Sequence, residues 1–283
     1  MLPDGDGDNI NGPSLIRAPD WLPGRLARYY LYFAHHQGSY IRLAFADRLE
    51  GPWRIHAPGT LRLSDAPQCH GHIASPDVHV DEERREIRMY FHGPSASGGQ
   101  KSFVAQSPDG LSFTSHGGAL GAFYFRALRW NGEWFAMAKG GLIYRSAAGL
   151  TDFTENPKPA FPMRDPNANA AGDVRHVALQ KMENTLFVYY SVIGHTPESI
   201  LRARIDLNDP PERWIATHPE TVLQPERPWE GTDLPAKASR SGAARSRENA
   251  VRDPAIYKED DRVYLLYSVA GESGIAIAEL QQR

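Results

Sequence analysis

Several features are scarce in this 283-residue chain, and each scarcity excludes a class of protein. The single cysteine, Cys69, excludes a disulfide framework and a cysteine-rich metal site. No apolar run approaches the roughly 18 residues that a membrane-spanning helix requires. Lys and Arg number 31 against 34 Asp and Glu, so the basic excess of proteins that neutralise phosphates is missing. We therefore expect a protein that binds neither nucleic acid nor membrane.

The opening residues, 1–13, are acidic and rich in glycine, and they lack the apolar core of a secretion signal. This composition predicts a cytoplasmic location. Long stretches with apolar residues at helical spacing are missing as well. The 22 Pro and 25 Gly interrupt the sequence every few positions, and the runs between them alternate or are rich in Val, Ile, Tyr and Phe. Such runs are typical of β-strands.

One unit recurs five times along the chain: a short opening segment, an aromatic strand, a turn and a partner strand. Its length is close to the roughly 40–50 residues of a propeller blade. The sequence therefore predicts an all-β fold, a five-bladed β-propeller forming one domain, whereas a β-sandwich does not predict five copies of one order of elements. The blades are expected at about 12–56, 73–115, 121–155, 174–216 and 250–281, with an insertion at 217–249.

The opening segments of the five units are expected to be the innermost strands, whose ends meet at one mouth of the central channel. Carboxylates beside His and Arg in such a place form a cluster in which pKa values are pushed apart for acid–base chemistry. The polar residues that converge there are Asp8, Asn9, Asn11, Asp77, Tyr124, Arg126, Arg175, His176, Arg252 and Asp253.

Structural roles for these residues stay open. Asp77 follows a proline and could cap a turn. Asp253 could serve only to pair with Arg252 or Arg175. His176 could be structural, or a ligand for a hydrated cation on the channel axis. Tyr124 and Arg126 are as consistent with packing and pairing as with substrate contact.

Histidines form a second group, with His35 and His36 ending the first aromatic strand and His70 and His72 leading into the second blade. Zinc needs three or four ligands at fixed geometry, and no spacing here is diagnostic of that. Contacts with sugar hydroxyls or a carboxylate are the better interpretation, so we predict no metal site. No cofactor is expected beyond a hydrated cation in the channel.

The insertion is rich in Pro, Ser, Arg and Ala, which is typical of a solvated surface loop. Loops of this length in compact domains also form lids. Trp229, Glu230 and Arg240 are therefore candidate rim residues.

The blade sequences resemble those of furanosidase-type propellers, the glycoside hydrolase family 43 proteins and their relatives, including family 117. The segments that carry the resemblance are YYLYFAHH at 29–36, YIRLAFADRLEGPW at 40–53, SPDVHV at 75–80, RDPAIY at 252–257 and VYLLYSVAG at 263–271. The resemblance covers nearly the whole chain in the order and spacing of the strands in each blade. It is specific for the fold and much less so for the activity.

By resemblance, Asp77 matches the second-blade aspartate of an APD-type motif, which tunes a pKa in these families. The first blade departs from the family pattern, because Gly12 stands where the aspartate base of a DPS-type motif is expected. Asp8 is the nearest acid. The third blade also departs, with Phe123 and Tyr124 where the glutamate acid is expected. Family 117 uses a histidine acid, and His176 is its counterpart by blade position.

These features predict an exo-acting glycosidase for a small oligosaccharide. In this hypothesis Asp77 orients the site, Asp8 or Asp253 activates water, and His176 protonates the leaving oxygen. Two alternatives stay open: a lyase in which Arg holds a uronate while His or Tyr removes the C5 proton, and a propeller that binds carbohydrate without turnover. The residues expected to contact substrate are His35, His36, His72, Asn11, Tyr124, Arg126, Arg175 and Arg252.

Overall fold

The computed structural model describes residues 9–161 and 174–281, in which five antiparallel sheets form a five-bladed β-propeller. This confirms the predicted all-β fold. The first blade contains β1 (Asn11–Arg17), β2 (Tyr29–Ala34), β3 (Tyr40–Ala46), β4 (Arg54–Ile55) and β5 (Leu61–Arg62). The second contains β6 (Ala74–Asp81), β7 (Glu86–Pro94), β8 (Gln100–Ser107) and β9 (Thr114–Ala122).

The remaining blades follow the same order from the channel outward. The third contains β10 (Arg126–Trp130), β11 (Glu133–Met137), β12 (Ile143–Ser146) and β13 (Thr154–Glu155). The fourth contains β14 (Val174–Met182), β15 (Thr185–Val192), β16 (Ile200–Asp206) and β17 (Glu220–Leu223). The fifth contains β18 (Arg252–Glu259), β19 (Arg262–Val269) and β20 (Gly274–Leu280).

Helical structure in the described residues consists of single 3-10 turns at Leu63–Asp65, Lys139–Gly141, Pro211–Arg213 and Pro228–Glu230. None of these helices has the length and apolar character needed to cross a membrane.

The inner strands β1, β6, β10, β14 and β18 form the ring around the channel. β1 packs against β6 and β18, and β14 packs against β10 and β18. Ile10 closes the ring by pairing in parallel with Ser273 of the last blade. This bridge joins the first and last blades beside the channel mouth, and β1 packing against β18 and the hydrogen bond from Tyr29 to Glu259 join them further along.

Aromatic side chains pack one blade against the next. The ring centroid of Tyr90 in β7 lies 6.3 Å from that of Phe125 and 6.1 Å from that of Trp134, both in the third blade. The Tyr90 hydroxyl donates a hydrogen bond to the Gly149 carbonyl at 2.7 Å, so its polar end is satisfied although the residue is buried. Pairs of this kind stabilise an interface beyond their buried area. An aromatic strand recurs in each blade because each blade needs such a surface.

Four of the five inner strands carry a β-bulge near the channel mouth, where two of their residues face one residue of the neighbouring strand. The bulged pairs are Gly12 with Pro13, Ser75 with Pro76, Arg175 with His176, and Asp253 with Pro254. Three pairs end in proline, whose missing N–H is tolerated because a bulge interrupts the ladder.

The left-handed backbone region is occupied at the mouth ends of four inner strands. The φ angle is +58° at Gly12, +50° at Ser75, +70° at Tyr124 and +52° at Asp253. Three of these residues are not glycine, and such backbone strain persists only where the surrounding structure enforces it. Strain of this kind clusters at functional sites, so these strand ends are the part of the fold where chemistry is expected.

Gly12 fits this arrangement because it has no side chain. A Cβ atom there would lie 2.9 Å from the Cα and 3.1 Å from the Oγ of Ser75. The position where the family resemblance places an aspartate base is therefore filled by the backbone and hydroxyl of Ser75.

We expect Gly12→Ala to lower the free energy of unfolding by about 2–4 kcal/mol, because left-handed strain and overpacking add together. Gly24→Ala is the matched control, since Gly24 has φ of +63° and a Cβ atom added there would meet nothing within 4 Å. That control should lose only about 1 kcal/mol. Urea denaturation of both variants measures the difference, and equal losses would contradict the close packing of Gly12 on Ser75.

Candidate functional site

His176 lies at the centre of the channel mouth, on the bulge of β14, and three other blades contact its ring. Its Nδ1 atom is hydrogen-bonded to Oδ1 of Asp253. Its Nε2 atom lies 3.0 Å from Oγ of Ser75. The Tyr124 ring packs on the imidazole with the two centroids 3.7 Å apart. The three residues with strained backbones at the mouth are thus the three that hold His176.

The direction of the hydrogen bonds follows from the protonation states. Burial would raise the pKa of the Asp253 carboxyl, but His176, Arg175 and Arg252 hold that pKa well below its usual range. An ionised carboxylate only accepts hydrogen bonds, so Nδ1 of His176 carries the proton and Nε2 accepts from the Ser75 hydroxyl. The Ser268 hydroxyl donates to the other Asp253 oxygen at 3.2 Å.

The imidazole is uncharged in the resting site. Burial lowers the pKa of His176 because the charged ring is poorly solvated, and the opposing effect of Asp253 does not restore it. A neutral ring with Nε2 as its acceptor is the form that takes a proton from a hydroxyl or a water.

A second buried charge cluster lies between the fourth and fifth blades. Glu198, which is fully buried, accepts from Nε of Arg175 at 2.8 Å and lies 3.1 Å from Nη2 of Arg252. The Ser191 hydroxyl also donates to it, at 2.7 Å. Each charge therefore has a partner, which buried charges require.

Glu272 connects the start of the chain to this cluster. Its carboxylate accepts from the side-chain amides of Asn9 and Asn11 and lies 3.5 Å from Nδ1 of His36. Burial would raise the pKa of Glu272, but the bond from His36 and the charge of Arg252 lower it. The first described residues are thus fixed to the last blade at the mouth.

Asp77 lies at the junction of the second and third blades. Its Oδ2 atom accepts from the Ala127 backbone N–H at 2.7 Å and is 2.8 Å from Nε2 of His79, while Oδ1 is 3.6 Å from Arg126. Burial opposes ionisation, yet His79, Arg126 and the backbone donor lower the pKa of Asp77. The carboxylate is therefore a fixed negative charge beside the channel.

Arg126 bridges the inner strands of several blades. Its guanidinium donates to the carbonyls of Pro13, Pro76 and Val177, which belong to three other blades. Carbonyls that converge on an axis are natural ligands for a hydrated cation, but here a cation already occupies them. An added ion would meet a like charge.

Histidines and aromatic rings form the wall beside this centre. The buried His92 ring lies 4.4 Å from that of Tyr124 and 6.2 Å from that of His72. His72 is half-buried, and its Nε2 atom is 3.3 Å from the Gln100 side-chain oxygen. Nδ1 of His92 has no hydrogen-bond partner within the described residues. Across the same ranges, 9–161 and 174–281, we find no cluster of three or more His, Cys, Asp or Glu side chains arranged to hold a metal.

The insertion is anchored to the buried charges. Arg175 donates to the carbonyls of Arg240 and Gly242, and Tyr267 donates to the buried carboxylate of Glu230 at 2.8 Å. Trp229 is 52% exposed. A cavity of about 570 Å³ is lined by residues between 234 and 250. The hydrogen bonds and ring contact described for His176 are to Ser75, Asp253 and Tyr124, outside this cavity, so we place the candidate site at the strand ends.

The structure brings most of the predicted residues together. Asn11, Asp77, Tyr124, Arg126, Arg175, His176, Arg252 and Asp253 lie on or beside the inner-strand ends, with His36 and His72 around them. His35 is half-buried in the turn after β2, and its Nδ1 atom accepts from the Gln37 N–H. Asp8 lies outside the described residues.

Sequence reasoning missed several members of the cluster. Ser75 had a usable signal, since the Gly-Pro, Ser-Pro and Asp-Pro steps of three opening segments align it with Gly12 and Asp253. Glu198 and Glu272 follow the second strand of their blades, outside the opening segments of the repeats. His92 ends an aromatic strand in the same way as His35 and His36, which is the signal that could have found it.

Glycoside hydrolases are among the solved structures with the same architecture. A thermostable family-43 glycoside hydrolase superposes with a TM-score of 0.67 at 15% identity, covering 97% of this chain and 90% of that one. The GH43_1 enzyme from Xanthomonas citri, complexed with xylose, gives 0.68 at 14% identity, covering 97% and 88%. An exo-1,5-alpha-L-arabinanase from a bovine ruminal metagenomic library gives 0.65 at 12% identity, covering 97% and 94%. The chain therefore has the propeller fold of the family-43 glycoside hydrolases, as the blade sequences predicted.

No family model matches the chain. A curated protein of Acanthamoeba polyphaga mimivirus, "Uncharacterized protein R118", is 34% identical over 297 aligned residues, which cover 96% of this chain and 83% of the viral protein. The chain belongs to the same family as this mimivirus protein.

We expect the stability of the protein to fall as the pH drops below about 6.5, partly because of His92. Burial lowers the pKa of His92 well below its usual value, so the unfolded chain binds a proton that the folded chain does not. Each such group reduces the free energy of unfolding by up to about 1.4 kcal/mol per pH unit. His92→Phe should flatten this dependence between about pH 6.5 and 5, whereas the exposed His218→Phe should not.

Urea denaturation at a series of pH values measures these slopes. A His92→Phe slope equal to that of the wild-type protein would contradict a neutral, buried His92.

Proposed function

We propose that this protein is a glycoside hydrolase-like enzyme that releases a terminal unit from a small oligosaccharide at the channel mouth. The observation that supports this most is the buried couple of an uncharged imidazole, His176, with an ionised carboxylate, Asp253, at the meeting point of the inner strands. The glycosidase fold supports a sugar as the substrate class for such a couple.

The roles follow from the protonation states. The sequence suggested His176 as the acid and Asp8 or Asp253 as the base, but an uncharged His176 held by Asp253 is suited to the opposite role. It accepts a proton from water through Nε2 and takes the place of the aspartate base absent at Gly12. Burial raises the pKa of Tyr124 well above its usual value, so its hydroxyl stays protonated and is available to donate to the leaving oxygen. Asp77 stays ionised and supplies negative charge beside the developing positive charge of the sugar.

Exo action is supported by the position of Arg126. Its guanidinium donates to carbonyls of three other blades, and we expect it to block the channel so that a sugar approaches from the mouth only. A site that is open on one side only fits the end of a sugar chain better than the middle of a polymer. The polar rim of His35, His36 and His72 is suited to hydroxyl contacts.

A uronate lyase is the less favoured candidate because its arginine is already engaged. Arg175 and Arg252 share Glu198, and Arg126 is bound to carbonyls and lies near Asp77. A uronate carboxylate would have to displace one of these partners. A binding propeller without turnover is the remaining alternative.

We predict that Asp253→Asn lowers sugar release by about 10²- to 10⁴-fold, because Nδ1 of His176 loses the carboxylate that orients it. Glu259→Gln is the matched control, since Glu259 ends the same strand and pairs with Arg28 away from His176. It should keep wild-type activity. Release of reducing ends is followed with neutral furanosides, anhydro-galactosides and uronates, together with the ultraviolet absorbance of unsaturated uronates.

Reducing ends without new absorbance, lost in Asp253→Asn, agree with the proposal. Growth of absorbance would instead show elimination. Ligand-dependent thermal stabilisation without any product would show a binding propeller.

A further inference from the structure

Ser75, His176 and Asp253 form an unbroken hydrogen-bonded line across three blades. The Ser75 hydroxyl donates to Nε2 of His176 over 3.0 Å, and Nδ1 of His176 donates to Asp253. This is the order of groups that activates a serine nucleophile in acyl transfer, in which the imidazole accepts the hydroxyl proton and the carboxylate fixes its tautomer. Such sites are recognised by geometry and not by sequence position, since they recur on unrelated folds.

The backbone conformation of these residues indicates that they do more than pack the blades together. Ser75 and Asp253 both adopt left-handed φ angles at bulges, and Gly12 leaves the space that the Ser75 hydroxyl occupies. A serine presented on a strained turn is also the arrangement of nucleophile elbows. Glycoside hydrolysis as proposed above does not use this hydroxyl.

We propose that Ser75 is the nucleophile of a second activity, the hydrolysis of short-chain carboxylic esters, with His176 as the base and Asp253 as the group that positions it. The proposal goes beyond the glycosidase function and does not rest on it. The buried setting, with the Tyr124 and His92 rings beside His176, favours a small acyl group such as acetyl over a long chain.

The reaction needs no reactant besides the ester and water. Oγ of Ser75 attacks the ester carbonyl while its proton passes to Nε2 of His176. The C–O bond to the alcohol then breaks, and His176 returns the proton to the departing oxygen, leaving an acyl ester on Ser75. Water attacks that ester, His176 accepts the water proton and gives it to Oγ, and the carboxylic acid leaves.

The test uses the full chain and 4-nitrophenyl acetate as the probe. We expect a burst of nitrophenolate with one acetyl group added per chain, located on Ser75 by mass spectrometry of peptides from acid-quenched protein. Ser75→Gly should reduce nitrophenolate release at least about 10³-fold and abolish the adduct. Glycine tolerates the left-handed backbone, so this variant keeps its fold, which cooperative thermal unfolding verifies.

The matched control is Ser146→Ala, because Ser146 is a buried serine that hydrogen-bonds to Thr151 and Gly149 at a turn of the third blade. It should keep the burst and the adduct. His176→Gln should abolish both in a protein that still folds. An absent adduct, an adduct on another residue, or a burst that survives in Ser75→Gly would overturn the proposal. The sugar-release assay is read separately, so either activity can fail alone.

Discussion

The architecture of the site depends on the contact between His176 and the strained residues of three other blades. A propeller holds its blades together mainly through apolar faces. At the inner-strand ends one imidazole joins three other blades, bonded to Asp253 and Ser75 and covered by Tyr124. Because each partner comes from a different blade, correct placement of the imidazole requires the whole ring of blades to be assembled.

The buried carboxylates around His176 all have bonding partners. Asp253, Glu198 and Glu272 are all almost fully buried, and each has a partner: the His176 imidazole for Asp253, Arg175 for Glu198, and the Asn11 side-chain amide for Glu272. The arginines between them neutralise the carboxylates without donating to Nε2 of His176. The imidazole stays uncharged chiefly because burial lowers the pKa of His176, and the charges of Arg126 and Arg175 act in the same direction.

The fold could be predicted from the sequence because it is repetitive. Five aromatic strands in one order specify five blades, and the inner strands follow from their place in each repeat. The residues around His176 were also found in large part, since Asp253, Tyr124 and the arginines lie on those strands. The role of Ser75 was not predictable in the same way, because its contact depends on a left-handed backbone and on the missing side chain of Gly12. Glu198 and Glu272 were not predicted because they lie in loops that reach the channel only through tertiary packing.

Nitrogen and proton NMR of the histidine rings at neutral pH measures the protonation of His176 directly. We predict that His176 is neutral, with a strongly deshielded proton on Nδ1 and none on Nε2, and that this low-field signal disappears in Asp253→Asn. A charged ring, or a neutral ring with its proton on Nε2, would contradict the arrangement in which Ser75 donates to His176 and His176 donates to Asp253.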